Sequence, residues 1–373
     1  MSLHHNPRIV TDGLVFGYDM DNTAKSFKGK PTTNLIETNL TSFTKDNGCT
    51  VTATGEYFQG SPVYRVVFNS GTLPRIRTNF AYTAQQYSGS IYYKVVVQGS
   101  HSPSLYFREI NFGTNYTSTL LNSTTWAKAN INHTFSASGT VMFLLYQSSS
   151  NSTSDTVIDF AMPQAEVGSF STPFVNGTRS NTQALLDMSK SRNTITATSL
   201  TYNSDGTFEF DNLSSNYVDL PNDIGVTGNN VSAFAWFKRN GSPSEGYHII
   251  CGGTELEISI PDPNGALRVG VYSGGTRYVS NHGSGLLDGN WHHIGFTSDG
   301  TTKTAYIDGE SVGTQSISGT LSSSFSNRTL GRFGTSSTYY ANANISIYQI
   351  YNKTLTAAEI KQNFNATRGR FGI

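Results

Sequence analysis

Charged residues are scarce in this sequence. Asp, Glu, Lys and Arg make up 13% of the 373 residues, whereas about 25% is usual in soluble globular proteins. The two signs balance at 25 residues each, and no cluster of Lys and Arg stands out. Because binding to nucleic acid or to an anionic membrane needs a basic surface, we expect neither kind of partner.

Cysteine and long apolar runs are also lacking. The two cysteines, Cys49 and Cys251, lie in different halves of the chain, so we expect no disulfide framework and folding in a reducing cytoplasm. The first residues, MSLHHNPRIV, contain no apolar segment of the kind found in secretory signals. No apolar run reaches the ~18 residues that a spanning helix needs, so we expect no membrane insertion.

Residues that favour β-strands are abundant. The chain has 20 Tyr, 22 Phe and 36 Gly, and Ser, Thr and Asn are common. Aromatic and β-branched side chains suit a pleated, half-buried surface, so the composition predicts an all-β fold. A surface of hydroxyls and amides is typical of extracellular adhesins and virion proteins.

The segment 291–315, WHHIGFTSDGTTKTAYIDGESVGTQ, predicts three strands joined by two tight turns. Ile294 and Phe296 alternate with smaller residues, which is the pattern of a strand with one buried face. The dipeptides Asp299-Gly300 and Asp308-Gly309 supply the turns, because Gly tolerates positive φ and Asp can accept from the backbone just beyond it.

This segment resembles the central signature of laminin-G-like and concanavalin A-like lectin domains. The shared features are Trp-His-His, a strand, Asp-Gly, and Tyr-x-Asp-Gly. The strand 231–238 resembles another family strand, in which Trp236 is expected to face inward. A capping box at 356–359 precedes a helix that resembles the closing helix of the family. The resemblance implies an antiparallel jelly roll whose last strand, 344–351, lies beside residues 14–16.

The domain order follows from two further similarities. In laminin-G-like proteins of phages, a first strand like 13–20 is soon followed by Asp-x-Ser-x-x-x-Asn, which occurs here only at 187–193. We therefore expect residues 32–180 to be an inserted β-sandwich between an N-terminal segment, 1–31, and the main lectin-like domain, 181–373. The end of the insert resembles carbohydrate-binding-module-like jelly rolls of phage fibres. The predicted fold is two antiparallel β-sandwich jelly rolls, the first inserted into the second, with one short C-terminal helix.

An enzymatic site is the main alternative. Concanavalin-like glucanases use Glu-x-Asp-x-x-Glu on one strand, and the nearest segment here, 255–260, is ELEISI. Glu255 and Glu257 would share a strand face at a distance that a retaining pair could bridge. The middle acid is Glu and the last is replaced by Ile260, so we expect a solvent-facing pair and no catalysis.

Metal sites find little support in the sequence. Adjacent strand residues point to opposite faces, so His292 and His293 cannot chelate one ion together. Calcium is common in laminin-G-like domains, and the resemblance leaves a calcium site possible although we expect no other cofactor. The loose candidates for calcium ligands are Asp19, Asp187, Asp205 and Asp299.

Tyrosines in or beside predicted loops could stack on sugars, and packing in the core is the competing interpretation for each: Tyr272, Tyr278, Tyr339 and Tyr340.

The resemblances favour a non-enzymatic structural protein of a tailed phage, of marine or cyanophage type. It would be a tail-fibre, tail or capsid-decoration component on the virion surface. We expect other virion proteins as partners, a homo-oligomer, and binding to host-surface polysaccharide. A glycan-degrading depolymerase and a non-viral secreted lectin remain the alternatives.

Overall fold

The computed structural model describes residues 8–22, 24–110, 113–149, 151–202, 207–212, 215–220, 224–226, 228–253, 255–321, 329–334 and 338–373. The chain divides into two compact units. Unit 1 combines Met1–Pro31 with Ser180–Ile373, and unit 2 is Thr32–Arg179.

Unit 2 follows strand β1 (Leu14–Asp19) of unit 1. Its strands are β2 (Thr32–Thr33), β3 (Thr44–Asp46), β4 (Cys49–Phe58), β5 (Ser61–Phe68), β6 (Arg75–Tyr82), β7 (Gln86–Val97), β8 (Ser104–Glu109), β9 (Asn115–Leu120), β10 (Ala127–Thr134), β11 (Gly139–Tyr146), β12 (Thr156–Val167) and β13 (Thr178–Arg179), with a 3₁₀ turn at Leu40–Ser42.

Two five-stranded antiparallel sheets form unit 2, in the orders β10-β7-β12-β5-β4 and β3-β6-β11-β8-β9, and β2 pairs with β13. The alternation of β11 explains the packing, because Val141, Phe143 and Leu145 enter the core while Met142 and Leu144 lie on the other face. Burial of such alternating faces is the main favourable term for a sandwich of this kind.

The remaining strands of unit 1 are β14 (Thr196–Thr198), β15 (Thr201–Tyr202), β16 (Phe208–Asp211), β17 (Tyr217–Asp219), β18 (Val231–Arg239), β19 (Tyr247–Gly252), β20 (Leu256–Pro261), β21 (Leu267–Ser273), β22 (Thr276–His282), β23 (Trp291–Ser298), β24 (Thr302–Ile307), β25 (Glu310–Ser316), β26 (Thr329–Leu330) and β27 (Asn342–Tyr351). Helix α1 is Ala357–Thr367, and a 3₁₀ turn follows at Arg368–Arg370.

Unit 1 consists of two antiparallel sheets. One has the order β15-β16-β27-β18-β23-β24-β25, with β1 also paired to β27. The other has the order β14-β17-β26-β19-β20-β21-β22. The all-β prediction with antiparallel sandwiches and one short C-terminal helix is confirmed.

The first and last strands of unit 1 are neighbours, as the resemblance implied. Leu14 pairs with Tyr351 and Phe16 with Ile350. The buried Asp187 carboxylate binds strand β1, since it accepts a hydrogen bond from Gly17 N at 3.0 Å. The same carboxylate accepts from Ser189 and from Asn193, which gives the Asp-x-Ser-x-x-x-Asn segment a structural role.

Helix α1 covers the outer face of the eight-stranded sheet. The predicted capping box is present, with Glu359 N donating to Thr356 Oγ1 at 3.2 Å and Thr356 N to Glu359 Oε2 at 2.9 Å. Phe364 of the helix packs on Trp236 and Ile347 of the sheet. No helix in the described ranges is long and apolar enough to cross a membrane.

The expectation that Trp236 faces the sandwich interior was wrong. Alternate residues of β18, including Ala233, Ala235 and Phe237, fill the space between the sheets. Trp236 lies on the opposite face, where its indole donates to Thr367 Oγ1 at 2.9 Å. The indole is buried because α1 and the following turn cover that face, which a strand pattern alone does not reveal.

Candidate functional site

A cleft lies on the outer face of the seven-stranded sheet of unit 1. Along β20, Leu256, Ile258 and Ile260 enter the core, so Glu257 and Ser259 face outward. The same alternation in β21 directs Arg268 outward, since Leu267 and Val269 are in the core. Two neighbouring strands therefore place polar side chains on one open surface.

The cleft has a volume of about 250 Å³. Its lining combines three aromatic rings, two arginines, one carboxylate and one aliphatic side chain: Tyr247, Ile249, Glu257, Arg268, Arg277, Phe333 and Tyr339. Sites for drug-sized ligands typically occupy ~300–1,000 Å³. The volume therefore suits one sugar residue or one terminal group rather than a long buried chain.

Glu257 forms the floor of the cleft. Its side chain is 4% exposed, and its Oε1 accepts from Arg268 Nε at 2.9 Å and from Ser259 Oγ at 2.6 Å. Its Oε2 accepts from a terminal nitrogen of Arg277. A buried carboxylate is costly unless it is paired and hydrogen-bonded, and here both oxygens are engaged.

Aromatic rings form the walls. Tyr247 and Tyr339 meet edge to face with ring centroids 6.2 Å apart. The Arg268 guanidinium lies 5.6 Å from the Tyr247 ring, and the Arg277 guanidinium lies 5.3 Å from the Phe333 ring. Both arginines are therefore held between a carboxylate and a ring, which restricts their orientation.

Gly252 allows the segment around Phe333 to lie close against strand β19. Gly252 and Phe333 form a parallel β-bridge, and a Cβ at position 252 would lie 2.5 Å from Phe333 Cα. Only glycine leaves room for backbone at that distance. The wall of the cleft formed by Phe333 therefore depends on this residue of β19.

A buried lysine of the eight-stranded sheet contacts the core side of the sheet that carries the cleft. Lys303 of β24 donates from Nζ to Val269 O at 2.7 Å and to Tyr278 O at 2.9 Å. Burial is the main cause that lowers the pKa of Lys303 to about 7, with Glu257 opposing the shift and the two cleft arginines adding to it.

The four tyrosines predicted to bind sugar do not lie together. Tyr339 is 41% exposed and lines the cleft. Tyr340 is buried, and Tyr278 packs against the core with its hydroxyl 2.8 Å from Ser318 Oγ. Tyr272 is half-buried at the end of β21, outside the lining.

The predicted calcium ligands are dispersed and already bonded. Asp19 accepts from Arg370 at 2.7 and 2.8 Å, and Asp187 holds β1 as described above. Asp299 accepts from Thr301 N and Thr302 N within its turn, and these donors lower the pKa of its carboxyl. Asp205 lies outside the described residues. Within the part of the chain that is described, no group of three or more His, Cys, Asp or Glu could hold a metal ion.

The expectation of a solvent-facing Glu255–Glu257 pair was wrong. Glu255 precedes β20 and lies outside the lining of the cleft, whereas Glu257 is buried beneath two arginines. Strand alternation predicts only which side of the sheet a residue occupies. It does not reveal that Arg268 and Arg277 of the next two strands cover the carboxylate.

The two histidines point to opposite faces, as predicted. His292 Nδ1 lies 2.9 Å from Asp308 Oδ2, and this hydrogen bond is the main cause that raises the pKa of His292. His293 packs on Phe234 and Trp236 beneath α1. Burial lowers the pKa of His293 to about 4.

Sequence reasoning missed most of the cleft, including both arginines, Tyr247 and Phe333. The alternating segments LEISI and LRVGV do carry a signal, because each places a charged residue on the face opposite its aliphatic residues. Pairing Glu257 with Arg268 from that pattern needs the strand register, which joins Ser259 to Arg268 and Glu257 to Gly270.

Comparison with protein families matches residues 211–361 to the concanavalin A-like lectin/glucanases superfamily, under the family name Laminin_G_3. The matched residues lie within unit 1 and support the concanavalin A-like lectin fold that its sequence resembles. A search of curated proteins found no match.

A search of solved structures matched toxin binding domains at low TM-scores. The binding domain of botulinum neurotoxin serotype G is 16% identical, with a TM-score of 0.39 over 49% of this chain and 48% of that one. The binding domain of Paraclostridial Mosquitocidal Protein 1 is also 16% identical, with a TM-score of 0.38 over 49% of each chain. The chain spans about half the length of these structures.

Proposed function

We propose that this protein binds glycans through the cleft of unit 1, as a non-enzymatic attachment component of a tailed-phage particle. The observation that carries glycan binding is the cleft itself, where Tyr247, Phe333 and Tyr339 surround two arginines on an open sheet face. An aromatic ring packs against the apolar C–H face of a sugar, and guanidinium groups donate to its oxygens. The similarity of residues 211–361 to the concanavalin A-like lectin/glucanases superfamily supports the proposal.

The phage assignment rests on the sequence resemblances of the insert, of the first strand and of its partner segment. We propose a place on the virion surface, contacts with other virion proteins, and assembly into a symmetric homo-oligomer. Mass spectrometry of purified particles should detect the protein, and light scattering should give a mass that is a multiple of 40.5 kDa. Absence from particles would overturn the virion role but leave glycan binding untouched.

Binding is tested with the whole 373-residue chain on a glycan array. We expect Tyr339→Ala to weaken binding about tenfold, the effect of losing one stacked ring. Tyr57→Ala is the matched control, because Tyr57 of unit 2 is 72% exposed and lies outside the cleft. Equal affinity of the wild type and Tyr339→Ala would exclude the cleft as the binding site.

The absence of catalysis is tested on the same glycans. Both oxygens of Glu257 are held by Arg268, Arg277 and Ser259, so the carboxylate acts as an ion-pair acceptor. We expect no new reducing ends after prolonged incubation with a bound polysaccharide. If the wild type produces new reducing ends and Glu255→Gln or Glu257→Gln does not, the depolymerase alternative would be favoured instead.

A further inference from the structure

The cleft has more hydrogen-bond donors than acceptors. Arg268 and Arg277 each carry five N–H groups. Each gives one hydrogen bond to Glu257, and in the described ranges no other hydrogen bond of these two guanidinium groups is found. Both oxygens of Glu257 already accept hydrogen bonds. The remaining donors therefore face a site that supplies few acceptors of its own.

The charges of the lining are unequal as well. Two arginines and one glutamate leave a net charge of one positive unit among the lining residues. Glu257 is buried at 4% exposure, whereas the side chains of Arg268 and Arg277 are 26% and 33% exposed. The negative charge is at the floor and the positive charges reach the opening, so a ligand meets the arginines first.

The guanidinium planes are also held in place. Each is bonded to Glu257 on one side and lies within 5.6 Å of an aromatic centroid, Tyr247 or Phe333. A planar guanidinium with a restricted orientation matches the two oxygens of a carboxylate better than a single hydroxyl. Fixed donors also lose less conformational entropy when a ligand binds.

From this geometry we propose that the cleft selects sugars that carry a carboxylate, such as uronic acids, a specificity that rests on the proposed glycan binding. The sugar ring packs on Tyr339, and its carboxylate accepts from the outward N–H groups of Arg268 and Arg277. Neutral sugars can use the same ring but leave these donors without an anionic partner.

The test compares acidic glycans with the same glycans after methyl esterification of their carboxyl groups. Esterification keeps the ring and removes the charge. We expect the wild-type protein to bind the acid at least tenfold more tightly than the ester, as a charged hydrogen-bond partner contributes that much. Affinity for the acid should fall as NaCl is raised, because salt screens exposed charges.

Variants assign this preference to the cleft. Arg277→Gln should remove most of the difference between acid and ester, and Arg277→Lys should keep part of it because the charge remains. Tyr339→Ala should weaken both ligands to a similar extent. Arg65→Gln is the matched control, since Arg65 pairs with Asp159 in unit 2. Circular dichroism checks that each variant is folded.

The outcomes separate the two proposals. Equal binding of acid and ester at the cleft would overturn the carboxylate preference and leave glycan binding standing. Preference for sulfated over carboxylated glycans would likewise overturn it. Failure to bind any glycan, acidic or neutral, would overturn the proposed glycan binding itself.

Discussion

The two outer faces of unit 1 differ in how their buried ionisable groups are bonded and covered. On the eight-stranded sheet, α1 and the following turn cover Trp236 and His293. Among the described residues, His293 Nδ1 has no hydrogen-bond partner, and burial lowers the pKa of His293 to about 4. On the seven-stranded sheet, Glu257 is buried with both of its oxygens bonded and two arginines beside it.

The difference shows how one sandwich provides both a sealed face and a binding face. A face covered by a helix excludes water, so a titratable group there is most stable in its neutral form. A face that keeps its charges must pair them, and pairing leaves guanidinium donors at the surface. The first arrangement contributes stability, and the second is suited to a polar ligand.

The largest expected effect is on the covered face. Phe364→Ala removes the ring that packs on Trp236 and Ile347, and we expect unit 1 to lose about 3–4 kcal/mol of unfolding free energy. Urea unfolding in a Trp126→Phe background isolates the fluorescence of Trp236 and Trp291, which both belong to unit 1. An unchanged midpoint would mean that α1 does not seal the sheet.

Acidification should lower the unfolding free energy, because of a histidine on the same face. Between pH 6.5 and 4 the unfolded chain binds a proton at His293 that the folded chain does not, so stability falls as pH falls. The loss should reach up to about 3 kcal/mol. His293→Phe should reduce this pH dependence but not abolish it, because burial also lowers the pKa of His248 to about 4. Identical pH profiles for the wild type and His293→Phe would contradict the account.

Glu257→Gln should lower the unfolding free energy by less, about 2 kcal/mol. The arginine partners of Glu257 are partly exposed, so they can turn towards water when the carboxylate is removed. Glu310→Gln is the matched control, since the Glu310 side chain is 74% exposed and pairs with Lys361 at the surface. Comparable midpoints for the two variants in urea unfolding would show that the ion cluster does not stabilise the open face.

The smallest effect concerns the start of α1. Thr356→Ala removes the side chain that accepts from Glu359 N, and we expect a loss of about 1 kcal/mol. Thermal unfolding measures it, with Thr301→Ala as a control in an exposed turn. A loss as large as that of Phe364→Ala would mean that the cap, rather than packing, holds the helix.

Much of the fold could be predicted because its signals are local. The Asp-Gly turns, the alternation of Ile294 and Phe296, and the capping box at Thr356 each depend on neighbouring residues. The cleft could not be predicted in the same way. Its members come from β19 to β22 and from the segment around Phe333, so they meet only once the strand register is known.

The prediction that Trp236 faces the sandwich interior was wrong for a related reason. The pattern of β18 predicts two faces but does not say which face the other sheet covers and which one the helix covers. The sequence did not reveal the partners of two calcium candidates, because Asp19 and Asp187 are bonded to residues far away in the chain.

A crystal structure of the 373-residue chain with its tightest-binding acidic glycan tests the central claim most directly. The account predicts a sugar ring against Tyr339, with its carboxylate within hydrogen-bond distance of Arg268 or Arg277. A sugar bound elsewhere on the chain, with the cleft empty, would contradict it.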